Sequence, residues 1–189
     1  MKQIILIRHA KVDIEHTPAL SARELQAWVA YYDHAGIAPD SLPSQEAIDA
    51  ATNADILLCS TLRRTADSAA QLGVVPDEKH AIFNELPLPD IQIPLLKFKA
   101  KTWLFILRVL MLSRIPLLKF SWKDAQAQAE KAAESLVFYT EKHNTIVLIG
   151  HGGMHWMTQK VLRKQGWKLI GSPSHENWGI TRLLLPNEC

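Results

Sequence analysis

Three stretches of this chain, "QIILI" from Gln3, "DILLCST" from Asp55 and "TIVLIGHGG" from Thr145, carry uninterrupted apolar runs rich in Ile, Leu and Val. A strand with one wet face alternates apolar and polar residues; an uninterrupted run is covered on both faces. Strands of that kind belong in a sheet with helices on each side. The segments between them supply the helices. "SARELQAWVAYYDHAGI" opens on Ser21 with Glu24 three residues on, a capping box, and reaches a stop at Gly36. "SQEAIDAATNA" follows Pro43, "LRRTADSAAQLG" ends at Gly73, an Ala-rich helix runs from about Asp124 to His143, and "MHWMTQKVLRKQG" follows the third strand. "HAIFNEL" reads as a strand entering a loop marked by Pro87 and Pro89, and "GITRLLL" as a final strand. Alternating strands and helices predict an α/β fold, a three-layer α/β/α sandwich around a central, mostly parallel sheet.

At 189 residues, 48% hydrophobic and 21% charged, the chain suits one globular domain, residues 1–189, with a subregion inserted at about 90–123. No repeat or low-complexity linker divides it. Cys59 and Cys189 make neither a disulfide framework nor a metal-ligand spacing. The N-terminal apolar run stops at Arg8, too early for a secretory leader, and no run is long enough for a spanning helix. The expectation is a cytoplasmic protein.

In open α/β sheets the functional crevice lies beyond the carboxyl ends of the strands. The first run ends in Arg8 and His9, the second in Ser60 with Arg63 and Arg64 beyond, and the third in His151, Gly152 and Gly153. An isolated Arg-His pair at a strand end is ordinary solvation. Parallel neighbours would bring these ends to one rim, where guanidinium forks match phosphate oxygens and a neutral imidazole can attack phosphorus. Gly152 and Gly153 permit close backbone approach at a helix start, which favours anions. The chemistry expected is phosphoryl transfer to a histidine with no obligatory metal or cofactor. His151 and His155 are four residues apart but lack an accompanying carboxylate at ligand spacing, so His155 reads as a packed helix residue and not a metal ligand.

The stretches "LIRHA", "CSTLRRTADSA", "FNELP" and "VLIGHGG" resemble, in order and spacing, the motifs of the histidine phosphatase superfamily, the phosphoglycerate-mutase-like proteins. The resemblance covers most of the chain outside about 90–123. It implies His9 as the phosphorylated nucleophile and Arg8 as a phosphate-binding arginine. Arg64 is the second such arginine, four residues after Ser60, with Arg63 the fallback. It implies His151 as the second active-site histidine and Glu85 as the acid that protonates the leaving oxygen; a solvated surface Glu is the competing reading. "ALSARELQA" resembles the family's Leu-Thr-x-x-Gly helix start. His175 either lines the pocket or caps a loop.

Two residues depart from the pattern. Ala10 replaces the glycine after the nucleophile, which fits if the backbone there is not left-handed. Glu15 or His16 replaces an asparagine, and a carboxylate there disfavours an anionic substrate. The "E-T-x-W-N" run of cofactor-dependent mutases is absent, so phosphatase is favoured over phosphomutase. The partner implied is a phosphorylated small molecule, possibilities of another class being a non-catalytic phosphoryl-binding or membrane-docking module.

Residues 91–123 contain no acid and seven cations: Lys97, Lys99, Lys101, Arg108, Arg114, Lys119 and Lys123. Seven cations in a chain of net charge +2 leave the remainder at −5. The centre, "WLFILRVLML", is apolar all round and should be buried. It reads as a core or homodimer-interface helix, as a lid over a pocket for an ester with an apolar moiety, or as a peripheral membrane contact. Its cations are interleaved with aliphatics and form no stacking platform, which argues against nucleic acid.

Overall fold

The computed structural model describes residues 1–14, 19–86, 96–112 and 122–186, without the side chains of residues 108, 111 and 112. Six strands form one sheet in the order β4-β3-β6-β1-β8-β7, where β1 is Lys2–Arg8, β3 Ile56–Cys59, β4 Glu78–Lys79, β6 Thr145–Gly150, β7 Lys168–Ile170 and β8 Ile180–Leu185. β4, β3, β6 and β1 run parallel, with Arg8 level with Gly150 and Cys59 level with Ile149. β8 pairs antiparallel with β1, and β7 with β8. The sheet is therefore mostly parallel and helices flank it.

The period-two side-chain rule splits the apolar runs between two cores. Ile4, Leu6, Leu58, Ile146 and Leu148 face helices α5 (Trp122–Tyr139) and α6 (Gly152–Lys164). Ile5, Ile7, Leu57, Cys59, Val147 and Ile149 face α2 (Gln45–Thr52) and α3 (Arg63–Gln71). Small side chains form much of the helical side: Ala125, Ala129, Ala132 and Ala133 of α5, and Ala47, Ala50 and Ala51 of α2, are all buried. Cys59, the free thiol of β3, is sealed in this core, and burial pushes its pKa up; Cys189 lies outside the described residues.

A third, separate cluster joins α1 (Ala22–His34) to α4 (Ala100–Leu112). Ala22 and Leu25 pack on Trp103 and Leu107, and the Trp103 indole donates to the Leu20 carbonyl at 2.6 Å. A two-residue ladder, β2 (Leu20–Ser21) with β5 (Lys97–Phe98), ties the starts of the two helices together. The capping box on α1 is in place: Glu24 N donates to Ser21 Oγ and Ser21 N to Glu24 Oε2. No helix among the described residues is long and apolar enough to cross a membrane.

Several elements differ from the sequence reading. "HAIFNEL" contains a 3-10 turn at Ala81–Phe83, not a strand. Its apolar stretch is only "AIF", and the turn is what drives Phe83 fully into the core against α5. Pro87 and Pro89 lie outside the described residues. α5 ends at Tyr139, because residues 140–142 close a turn. α1 ends at Ala35 in an extended conformation. Gly36 has no left-handed angle; its smallness admits Asp67, whose Oδ2 would lie 3.2 Å from an added Cβ. α4 is not buried all round. Trp103 and Leu107 face α1, while Phe105 and Val109 are 69% and 46% exposed.

Candidate active site

The carboxyl ends of β1, β3 and β6 meet, as parallel neighbours must. His9 follows β1 and is 2% exposed, with its backbone N–H on the Gly150 carbonyl at 3.0 Å. Its Nδ1 lies 2.6 Å from the Ala10 carbonyl. A carbonyl only accepts, so Nδ1 carries the proton and Nε2 keeps its lone pair. Burial, reinforced by His151 and Arg64, holds the His9 pKa well below its ordinary value. The neutral imidazole with an unprotonated Nε2 is the nucleophilic form.

Ala10 is fully buried, and its N–H donates to Ser68 Oγ at 2.9 Å. Trp178 is the one non-glycine with a left-handed angle among the described residues, so the methyl of Ala10 meets no backbone penalty. Glu15 and His16 lie outside the described residues.

His151 caps α6 and stacks obliquely on His9, ring centroids 5.1 Å apart. Arg64 Nε donates to His151 Nδ1 at 3.3 Å, so the His151 proton sits on Nε2 and points to Ser60 Oγ, 2.8 Å away. Ser60 is fully buried, and Thr65 Oγ1 holds its hydroxyl from the far side at 3.0 Å. Arg64 is 2% exposed at the start of α3, whereas the Arg63 side chain is 65% exposed and pairs outward with Asp67 at 3.3 Å. One residue along a helix turns a side chain by about 100°, which sends Arg64 inward and Arg63 away from the site.

The last turn of α1 reaches Arg64 as well. Arg64 Nη1 donates to Asp33 Oδ1 at 2.9 Å, and its guanidinium lies 4.8 Å from the Tyr32 ring centroid. The sequence reading missed both residues. They lie at the foot of an amphipathic helix, where a charged and an aromatic residue are unremarkable, and only the α1–α3 contact gives them a role.

Arg8 sits over the start of α6: an added Cβ on Gly152 would lie 3.3 Å from its Nε. Its Nη1 donates to the His175 carbonyl, so His175 helps fix the arginine through its backbone while its imidazole reaches Gln159 at 3.4 Å. The segment that carries His175 returns to β1. Asn177 Nδ2 donates to the His9 carbonyl at 3.0 Å, and Trp178 N to the Arg8 carbonyl at 3.1 Å. Trp178 holds φ at +62°, a strained angle for a bulky residue, and its indole N–H is anchored on Ser41. Asn177 and Trp178 were also missed; "ENWG", ahead of a glycine and a strand, was the available signal.

Glu85 is not a solvated surface residue. It accepts from Met154 N at 3.0 Å and Leu86 N at 3.1 Å through Oε1, and from Gly153 N at 3.3 Å through Oε2. It occupies the α6 N-terminus, where the helix presents its N–H groups. An added Cβ on Gly153 would come within 2.6 Å of Oε1, so Gly153 is the glycine this contact demands. Beneath lies His155, 3% exposed, with its Nε2 against the Cα of Gly150. Burial lowers its pKa to about 3, Glu85 opposing and His175 and Arg8 adding. Among the described residues no group of three or more His, Cys, Asp or Glu could hold a metal ion.

Comparison with known proteins adds the fold. No family sequence model matches the chain, and no curated protein matches it by sequence. Solved structures do. A phosphoserine phosphatase from Entamoeba histolytica, in complex with phosphoserine, is 17% identical with a TM-score of 0.60 over 99% of this chain and 92% of its own. A mycobacterial glucosyl-3-phosphoglycerate phosphatase, in complex with VO3, is 18% identical with a TM-score of 0.54 over 96% and 90%. A protein described as mycobacterial hydrolase 1 is 17% identical with a TM-score of 0.55 over 100% and 99%. The chain has the histidine phosphatase, phosphoglycerate-mutase-like fold.

Proposed function

We propose that this chain is a phosphomonoesterase that works through a phosphohistidine on His9, without an obligatory metal. The observation that carries the reading is the state of His9: buried, protonated at Nδ1 by its bond to Ala10, and held neutral beside Arg64 and His151. The two solved phosphatases of like fold act, by their names, on phosphorylated small molecules, and that is the substrate class proposed here. The apolar insert favours an ester with an apolar moiety.

In this mechanism Arg8 and Arg64 bind the phosphoryl oxygens, with His151 beside them. The His9 Nε2 lone pair forms a P–N bond as the ester P–O bond breaks. Glu85 gives its proton to the departing oxygen. Water then attacks phosphorus, the P–N bond breaks, Glu85 takes the water proton, and inorganic phosphate leaves. Little covalent chemistry falls to the protein beyond the nucleophile; positioning and charge neutralisation carry the rate.

The test is a trapping experiment. After brief exposure to a radiolabelled aryl phosphate and an alkaline quench, acid-labile, base-stable label should reside on His9. His9→Ala should carry none and should lose at least about a thousandfold in kcat. Chelators should leave the rate unchanged. Hydrolysis without a His9-dependent label, or full inhibition by a chelator, would sink the mechanism. Across esters graded by tail length, kcat/KM should rise with the tail.

A further inference from the structure

Helix α4 has two faces with different fates. Ala100, Trp103 and Leu107 are buried against α1. The opposite face carries Lys101, Phe105 and Val109 in a stripe at successive four-residue steps, all exposed. Phe105 is 69% exposed, and Leu96, just before β5, is 47% exposed. Lys97 and Lys99 stand exposed beside this patch. Lys99 and Lys101 form no ion pair among the described residues, and the first turn of α4 carries no acid to offset them, although cations there oppose the helix dipole. Among the described residues Lys97 has the Glu24 carboxylate near it, whereas Lys99 and Lys101 carry a local electrostatic cost that no ion pair offsets.

What would cover it is constrained by charge. A two-fold dimer through this patch sets it against itself, so that the lysines of one copy face those of the other. A partner must instead be anionic. It must also accept one phenylalanine and two aliphatics in a shallow layer, with lysine heads around them. An anionic bilayer surface does both: apolar side chains enter the headgroup–acyl boundary while the ammonium groups meet lipid phosphates and carboxylates.

We propose that residues 96–109 form a peripheral docking site for anionic lipid surfaces. The inference rests on the exposed face of α4 alone and stands apart from the chemistry at His9. It would place the protein on a membrane surface with no need of a spanning helix.

Co-flotation of the full chain with vesicles of phosphatidylcholine, with and without about 30% phosphatidylserine, is the direct test. Binding should be at least tenfold tighter to the anionic vesicles and should weaken steeply as salt rises. Replacing Lys97, Lys99 and Lys101 together by Gln should weaken it about a hundredfold, at about fivefold per lysine. Phe105→Ser should weaken it about tenfold, from the lost apolar insertion. Both variants should keep the wild-type circular dichroism spectrum, since neither touches the α1–α4 contact, and His9→Ala should float like wild type. Equal binding to neutral and anionic vesicles, or no binding to either, overturns the proposal. So does a dimer seen by light scattering that Phe105→Ser dissolves.

Discussion

His155 should make the protein lose stability in mild acid by an amount that can be isolated. In the folded state its pKa is about 3, because it is sealed between α6 and the sheet. In the unfolded chain it returns to its ordinary value near 6.5. Between these values the unfolded chain binds a proton that the folded chain does not. The contribution of this residue is therefore complete above about pH 6.5 and declines as pH falls toward about 3. At about 1.4 kcal/mol per pH unit, moving from about pH 7.5 to about pH 4.5 costs about 3 kcal/mol through His155 alone. That is a sizeable share of a typical stability of about 5–15 kcal/mol. The assay is urea unfolding at both pH values for wild type and His155→Leu. Leucine keeps much of the volume and removes a buried nitrogen, Nε2, that finds no hydrogen-bond partner among the described residues. Wild type should lose about 3 kcal/mol more than the variant on acidification, since His9 and the carboxylates other than Glu85, which faces His155, contribute equally to both. Equal losses would mean that the buried imidazole already takes up a proton in the folded state, and the reasoning would fail.

Two further outcomes follow from the site. The depressed His9 pKa keeps its imidazole neutral in mild acid, so with His9 as the proposed nucleophile the acidic limb of kcat/KM should lie below pH 6.5; a limb centred at or above 6.5 in the pH–rate profile would contradict it. Asp33→Asn leaves the buried Arg64 without its carboxylate, and should lower stability in phosphate-free buffer by about 1–2 kcal/mol, allowing for the partial exposure of Asp33. Inorganic phosphate, taking over the guanidinium, should restore more stability to the variant than it adds to wild type in a thermal-shift titration.

The central strands were legible because runs such as "IILI" and "IVLI" leave no room for a wet face, and their endpoints were legible because Arg8, Ser60 and His151 break those runs abruptly. β4 and β7 were not, being two and three residues long, too short for any periodicity to register. The preference for Arg64 over Arg63 came from the resemblance to the histidine phosphatase motif, and the helix geometry at α3 shows how adjacent residues diverge, one to His151 and one to Asp67. Asp33 and Tyr32 could not be read, because their role exists only where α1 crosses α3. The half-exposed α4 could not be read either. Composition reports that a helix is apolar; only packing reports how much of it another helix can cover.

Helix α1 is a shared part. Leu25 gives it to α4, and Asp33 and Tyr32 in its last turn give it to Arg64. One helix thus contacts both Arg64 and α4, the latter on the face opposite the exposed stripe. Thermodynamic reciprocity sets the terms of any coupling through such a helix: whatever factor a bound surface imposes on phosphate affinity, phosphate must impose on affinity for the surface. The two occupancies become a single balance, measurable from either end.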